Sequence, residues 1–162
     1  MDLVLQTVYF SIFMQLITGL IQMDGLFIKL PKEHSILTDV LKLETLVQFI
    51  EALFYVWLVL NFKKIRRMAS KRYYDWVITT PAMLLATIIY MKYSEHKEAK
   101  VGGEGVEMKF TSFLQNNQIN IFKIFASNAF MLLCGFLGEI GRIPMLQSVA
   151  VGSIFFLYTF YL

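Results

Sequence analysis

An all-α, polytopic transmembrane helix bundle is the fold this 162-residue sequence predicts. Three observations predict it. Apolar residues make up 57% of the chain. Charged residues make up 17%, against about 25% in an ordinary soluble domain. The apolar residues are also gathered into long blocks rather than dispersed. Blocks of this kind disfavour the alternative, a very apolar soluble helical protein, which would need more polar surface.

A helix needs roughly 20 residues to cross about 30 Å of hydrocarbon. Five stretches fit. Leu3–Met23 carries no charge. Leu43–Phe62 carries Glu44 and Glu51. Arg72–Met91 carries Arg72 and Asp75 in its first turns. Ile119–Gly138 carries Lys123 alone, and Ile143–Leu162 carries no charge. A bilayer core forces the backbone to satisfy its own hydrogen bonds, so these blocks are expected as helices; barrel strands would be shorter and alternating.

The connections agree. Asp24–Lys42 mixes Gly25, Pro31 and charges, and Phe62–Lys71 is a short basic link. Lys92–Gln118, with Gly102, Gly103 and Gly105, reads as a long polar loop that has room for a hairpin. Glu139–Arg142 reads as a tight turn between two helices. No cleavable signal peptide is expected, since the first apolar block starts at Leu3 without a basic segment before it. The whole of 1–162 reads as one membrane domain.

The excess residue is phenylalanine, with 15 copies beside 8 Tyr and 9 Met. Most of these are expected to pack helices together, although a flat apolar cofactor would use the same side chains. The single cysteine, Cys134, excludes an intrachain disulfide, and metal-ligand spacing is missing. Neither a phosphate-binding glycine loop nor a hydrolase triad is in evidence, so an enzyme is not expected. The net charge of +3 is small. Its basic residues cluster as Lys63, Lys64, Arg66, Arg67, Lys71 and Arg72, which suits a membrane surface better than nucleic acid.

Polar residues inside the spans carry the functional information, because a charge in hydrocarbon usually faces a bundle interior or a cavity. Arg72 and Asp75 are three apart and share a helix face. Thr79 lies one turn beyond Asp75, within reach of its carboxylate. Trp76, Thr80 and Met83 form a neighbouring stripe, and Pro81 frees the carbonyl near Val77. The bland alternative is a structural ion pair beside an aromatic anchor. On the second block Glu44, Gln48, Glu51 and Tyr55 step by four, three and four into one polar stripe. Helix–helix hydrogen bonding would account for Gln48 and Tyr55. Two glutamates on one face point instead to a hydrated cation route. Ser11 and Gln15 on the first block can face the same interior, and Ser127 with Asn128 marks a polar spot in the fourth. Lys123 is expected to snorkel, and His34 and His96 are expected to face solvent. Gly135, Gly138 and Gly141 permit close helix contact.

Residues 72–81 read R-Y-Y-D-W-V-I-T-T-P. This closely resembles the third-helix pattern of microbial (type 1) rhodopsins, R-Y-x-D-W-x-x-T-T-P. Residues 135–141, G-F-L-G-E-I-G, resemble the end of the fourth helix in proteorhodopsin-like members. The resemblance implies a seven-helix bundle with retinal joined to a lysine of the seventh helix by a protonated Schiff base. It implies that Asp75 is the carboxylate counterion, since a buried cation needs a nearby anion. It makes Arg72 the arginine on the extracellular side of that counterion and Thr79 the threonine that bonds it. Trp76, Met83 and Met131 would pack against retinal. Thr80 and Asn128 would link the third and fourth helices, Gly135 would sit beside the retinal ring, and Tyr55 would lie near the counterion region. Gly152 and Phe156 occupy pocket-like positions on the fifth helix.

The departures from the pattern are informative. Forward proton pumps carry an acid eleven residues beyond the counterion, a rise of about 16 Å; here that position is Ala86. Ala86 together with Glu44 and Glu51 is closest in character to the channel-type viral rhodopsins. The leading expectation is therefore a retinal-binding, light-gated cation channel, with Ser11, Gln15, Glu44, Gln48 and Glu51 along the ion route. The alternatives are a light-driven outward proton pump, or a photosensor or scaffold without transport. Lipid, and cations or protons as transported ions, are the expected partners, and a homo-oligomer is compatible with all three readings. The family places its N-terminus outside, whereas the basic run Lys63–Lys71 favours a cytoplasmic link between the second and third helices. Lys123 is on the wrong helix to carry retinal. With five helices of an expected seven, the chain reads as a fragment whose Schiff-base lysine lies elsewhere.

Overall fold

Hydrocarbon leaves helix as the cheapest way to pair every amide, and helix is the only extended structure among the described residues. The computed structural model describes residues 3–62, 68–98 and 109–162. In chain order these form α1 (Leu3–Leu26), a 3₁₀ turn (Lys32–His34), α2 (Ser35–Leu60), α3 (Met68–Glu98), α4 (Phe110–Glu139) and α5 (Met145–Tyr161). Among the described residues, four segments have the length and composition to cross a membrane: Leu5–Leu26, Ser35–Leu60, Ala69–Lys97 and Phe110–Glu139.

The helices overrun the apolar blocks that announce them. The chain between α1 and α2 is shorter than the expected Asp24–Lys42 link, because the helix already starts at Ser35. The long polar loop expected over Lys92–Gln118 is corrected on both sides: α3 continues to Glu98 and α4 starts at Phe110. Polar turns that project beyond hydrocarbon look like loop to a reading based on apolarity, yet nothing in them breaks a helix. Gly102, Gly103 and Gly105, and with them the hairpin, lie outside the described residues, as do Lys63, Lys64, Arg66 and Arg67. The fifth apolar block shrinks to the 17 residues of α5.

The turn between α4 and α5 is specified atom by atom. Gly141 has φ +76°, the left-handed conformation that glycine adopts without a Cβ penalty. The amide of Arg142 donates to Leu137 O at 2.9 Å, and that of Gly141 to Gly138 O at 3.0 Å. This paired pattern caps the last carbonyls of α4. Pro144 then caps the start of α5 with φ −57° and ψ 135°, outside the helical region.

The chain packs as two compact units, and the division falls inside α3 at Pro81. One unit contains α1, α2 and α3 from Ala82 onward. The other contains α3 as far as Pro81, α4 from Leu114, and α5. Beside an apolar core of residues such as Ile36, Leu58 and Ile89, burial departs from that of a soluble protein. Phe10, Leu20, Phe122, Leu146 and many other large apolar side chains are exposed, whereas Thr79, Ser127, Asn128, Ser148 and Thr159 are buried. Only a bilayer makes that pattern favourable, so the chain is an integral, multi-pass membrane protein.

Candidate functional site

In the unit of α4 and α5, the site grows from the first half of α3. Asp75 is only 6% exposed, and its Oδ1 is buried with no hydrogen-bond partner among the described residues. A carboxylate oxygen held this way wants a donor or a cation. Thr79 does not supply one. Its side chain is fully buried, and the hydroxyl donates to the Asp75 backbone carbonyl at 3.1 Å, which corrects the expected bond to the carboxylate. A threonine on a helix reaches the carbonyl four residues back more readily than a side chain on its own face. The Arg72 guanidinium lies over the Trp76 ring, 5.0 Å from its centre. Thr80 donates to Trp76 O at 2.7 Å and accepts from Asn128 Nδ2 at 2.9 Å, so one hydroxyl joins α3 to α4.

A cleft of about 320 Å³ opens beside this segment. Its walls include Tyr73, Trp76, Met131, Gly135, Gly152 and Phe156, together with Leu132, Met145 and Ser148. Five of the residues singled out in the sequence for an apolar cofactor thus line one space. The Ser148 hydroxyl adds little polarity, because it donates to Cys134 O at 2.6 Å. Gly135 has a structural duty as well: a Cβ there would come within 2.5 Å of Tyr73 Oη. A polyene such as retinal fits this chemistry on two counts. The lining is apolar, with two glycines among its residues, and an orphaned carboxylate oxygen stands on the residue next to Trp76.

In the unit of α1 and α2, the polar stripe has a cleft of its own. Glu44, Gln48 and Glu51 line a space of about 300 Å³ together with Gln22, Val47, Met83 and Thr87. Met83, expected against retinal, is therefore a wall of the polar cleft. Gln48 donates to Gln15 O at 3.0 Å and to Thr18 Oγ1 at 2.9 Å, and Gln15 Nε2 approaches Glu51 Oε2 at 3.4 Å. Gln48 thus serves both readings, as a helix–helix bond and as cleft lining. Tyr55 sits on α2 against Phe54, ring centres 6.0 Å apart. Ser11 lies half-buried on α1, one turn before Gln15. Lys123 is exposed on α4.

Several residues were not legible in advance. Gln22 has a buried, unpartnered Oε1 and lines the polar cleft. Its place seven residues after Gln15 on the same helix face was the available signal. Tyr73 and Ser148 became visible only through contacts between helices. His34 is a correction: it is half-buried, and its Nδ1 lies 2.7 Å from Tyr93 Oη rather than facing solvent. His96 is exposed as expected.

Comparison with known proteins gives two findings. The family model described as "Bacteriorhodopsin-like protein" matches residues 5–162. The crystal structure of the viral rhodopsin OLPVRII is similar with a TM-score of 0.77 and 26% sequence identity, over 99% of this chain and 69% of that one. No curated protein matches.

Proposed function

Because the chain belongs to the bacteriorhodopsin-like family, we propose that it forms the greater part of a light-gated cation channel. The coarser function follows from the family: a retinal-linked, light-responsive membrane protein and not an enzyme. Passive cation flow is the finer reading, and one observation carries it. Glu44, Gln48 and Glu51 line a polar cleft with Gln22 and Thr87 in a membrane-spanning unit, while Ala86, where a pump carries its reprotonating acid, is 2% exposed and apolar. Oxygen atoms of this kind replace part of a cation's hydration shell.

Retinal, when bound, supplies light absorption and a fixed positive charge. Trp76, Met131, Gly135, Gly152 and Phe156 would hold it in the apolar cleft. Asp75 opposes the charge and takes up a proton at Oδ1. Arg72 restrains Trp76 and keeps a compensating charge near the same end of α3. Glu51, Gln48 and Glu44 conduct, with Gln15 and Ser11 on the facing helix. The lysine that anchors retinal is placed outside these 162 residues. The match leaves about a third of the similar viral rhodopsin's chain uncovered, and Lys123 stands exposed on α4. In this reading residues 1–162 are a single domain together with that further sequence, and the N-terminus is extracellular.

Photocurrent from the complete protein under a sodium gradient tests the proposal. A passive channel reverses near the sodium equilibrium potential, and Glu51→Gln lowers its conductance several-fold. The orphaned Asp75 oxygen also favours outward proton pumping as a second reading. Current that keeps one direction through the reversal potential, with acidification outside sealed cells, would select it.

A further inference from the structure

The proposed ion route does not draw on the basic run that leads into α3. Lys63, Lys64, Arg66, Arg67, Lys71 and Arg72 are six cations within residues 63–72. A Lys or Arg near a membrane surface is attracted to anionic lipid by about 1 kcal/mol. Lys71 connects this charge to a shaped surface. Its Nζ lies 5.0 Å from the centre of the Tyr74 ring. Tyr74 in turn forms part of the wall of a groove of about 400 Å³ between α3 and α4.

That groove is distinct from the two clefts already described. Val77, Pro81, Ala129, Leu133 and Phe136 supply its hydrocarbon walls. Its one amide, that of Asn128, donates to Thr80 Oγ1 and is thereby occupied. Val77 and Leu133 are 61% and 49% exposed, so the groove opens sideways. Val77 and Pro81 lie six and ten residues beyond Lys71, roughly 9 and 15 Å further along the helix. A cation at one end and an apolar trough running away from it match a lipid, with an anionic head and a hydrocarbon tail. We propose that this groove binds one acyl chain of an anionic phospholipid whose phosphate rests at Lys71.

The assignment is independent of the channel reading, and its test needs no light. The full-length protein is placed in vesicles of equimolar phosphatidylglycerol and phosphatidylcholine and extracted in mild detergent. Retained lipid is then counted by mass spectrometry of the intact protein. The wild type keeps phosphatidylglycerol in preference. Lys71→Gln lowers the retained ratio of phosphatidylglycerol to phosphatidylcholine about fivefold, the effect of one cation at an anionic surface. Val77→Trp and Leu133→Trp, which fill the groove, each lose the retained lipid at unchanged helicity. A ratio indifferent to Lys71 overturns the proposal. Lipid retained in both tryptophan variants overturns it too, as does a lipid-free dimer, which would mean that a second copy covers this face.

Discussion

Asp75 concentrates the residue-scale consequences. A buried carboxylate oxygen without a partner is costly unless something cationic arrives to meet it. Removing the charge should therefore act on the chromophore before it acts on the fold. Retinal reconstitution of the full-length Asp75→Asn variant is expected to shift absorption to the red, because the excited state is no longer opposed by a fixed anion. A spectrum identical to wild type at matched pH would remove Asp75 from the role. Gly135 yields a second expectation at this scale. Its missing Cβ leaves room for Tyr73, whose ring is itself held between Trp76 and Phe136 with centres 5.2 and 5.7 Å away. Gly135→Ala should cost about 1–3 kcal/mol in thermal unfolding, the usual range for overpacking. Adding Tyr73→Phe should recover part of that loss, since the hydroxyl makes the closest approach.

At the scale of elements, α4 and α5 are joined by small polar side chains beside the stacked rings of Phe130 and Phe155, whose centres are 5.3 Å apart. Ser127 donates to Phe155 O at 2.9 Å, Thr159 donates to Ser127 Oγ at 2.9 Å, and Ser148 bonds Cys134 O. Hydrogen bonds between membrane helices average about 0.6 kcal/mol and reach about 1.7. A double-mutant cycle on Ser127→Ala and Thr159→Val should return a coupling within that range. A value indistinguishable from zero would mean that packing alone joins the pair. The helix number and the membrane-spanning character were readable from block lengths, because hydrocarbon thickness sets both. The Asp75 segment was readable because charge, aromatic, hydroxyl and proline occur at fixed intervals on one helix. What escaped reading lies between elements. The polar ends of α3 and α4 carry no apolar signal, and the His34–Tyr93 bond joins residues 59 apart in sequence. The direction of the Thr79 hydroxyl was missed for a local reason: its own backbone competes for it.

For the whole molecule, charge and family pull in opposite directions. Residues 63–72 are basic enough to call for a cytoplasmic location, whereas the proposed extracellular N-terminus puts that link outside. An epitope at the N-terminus should be stained on intact, unpermeabilised cells. Staining that needs permeabilisation would reverse the assigned orientation while leaving the helix contacts untouched.

Tyr73 and Leu132 border both the groove assigned to lipid and the cleft beside Trp76. Two side chains are thus a party wall between the bilayer and the chamber proposed for the chromophore. A thicker or more rigid tenant on the outer side presses on the inner room. The protein's colour then becomes a property of its host membrane as well as of its sequence, and spectra taken in detergent and in native-like lipid should differ.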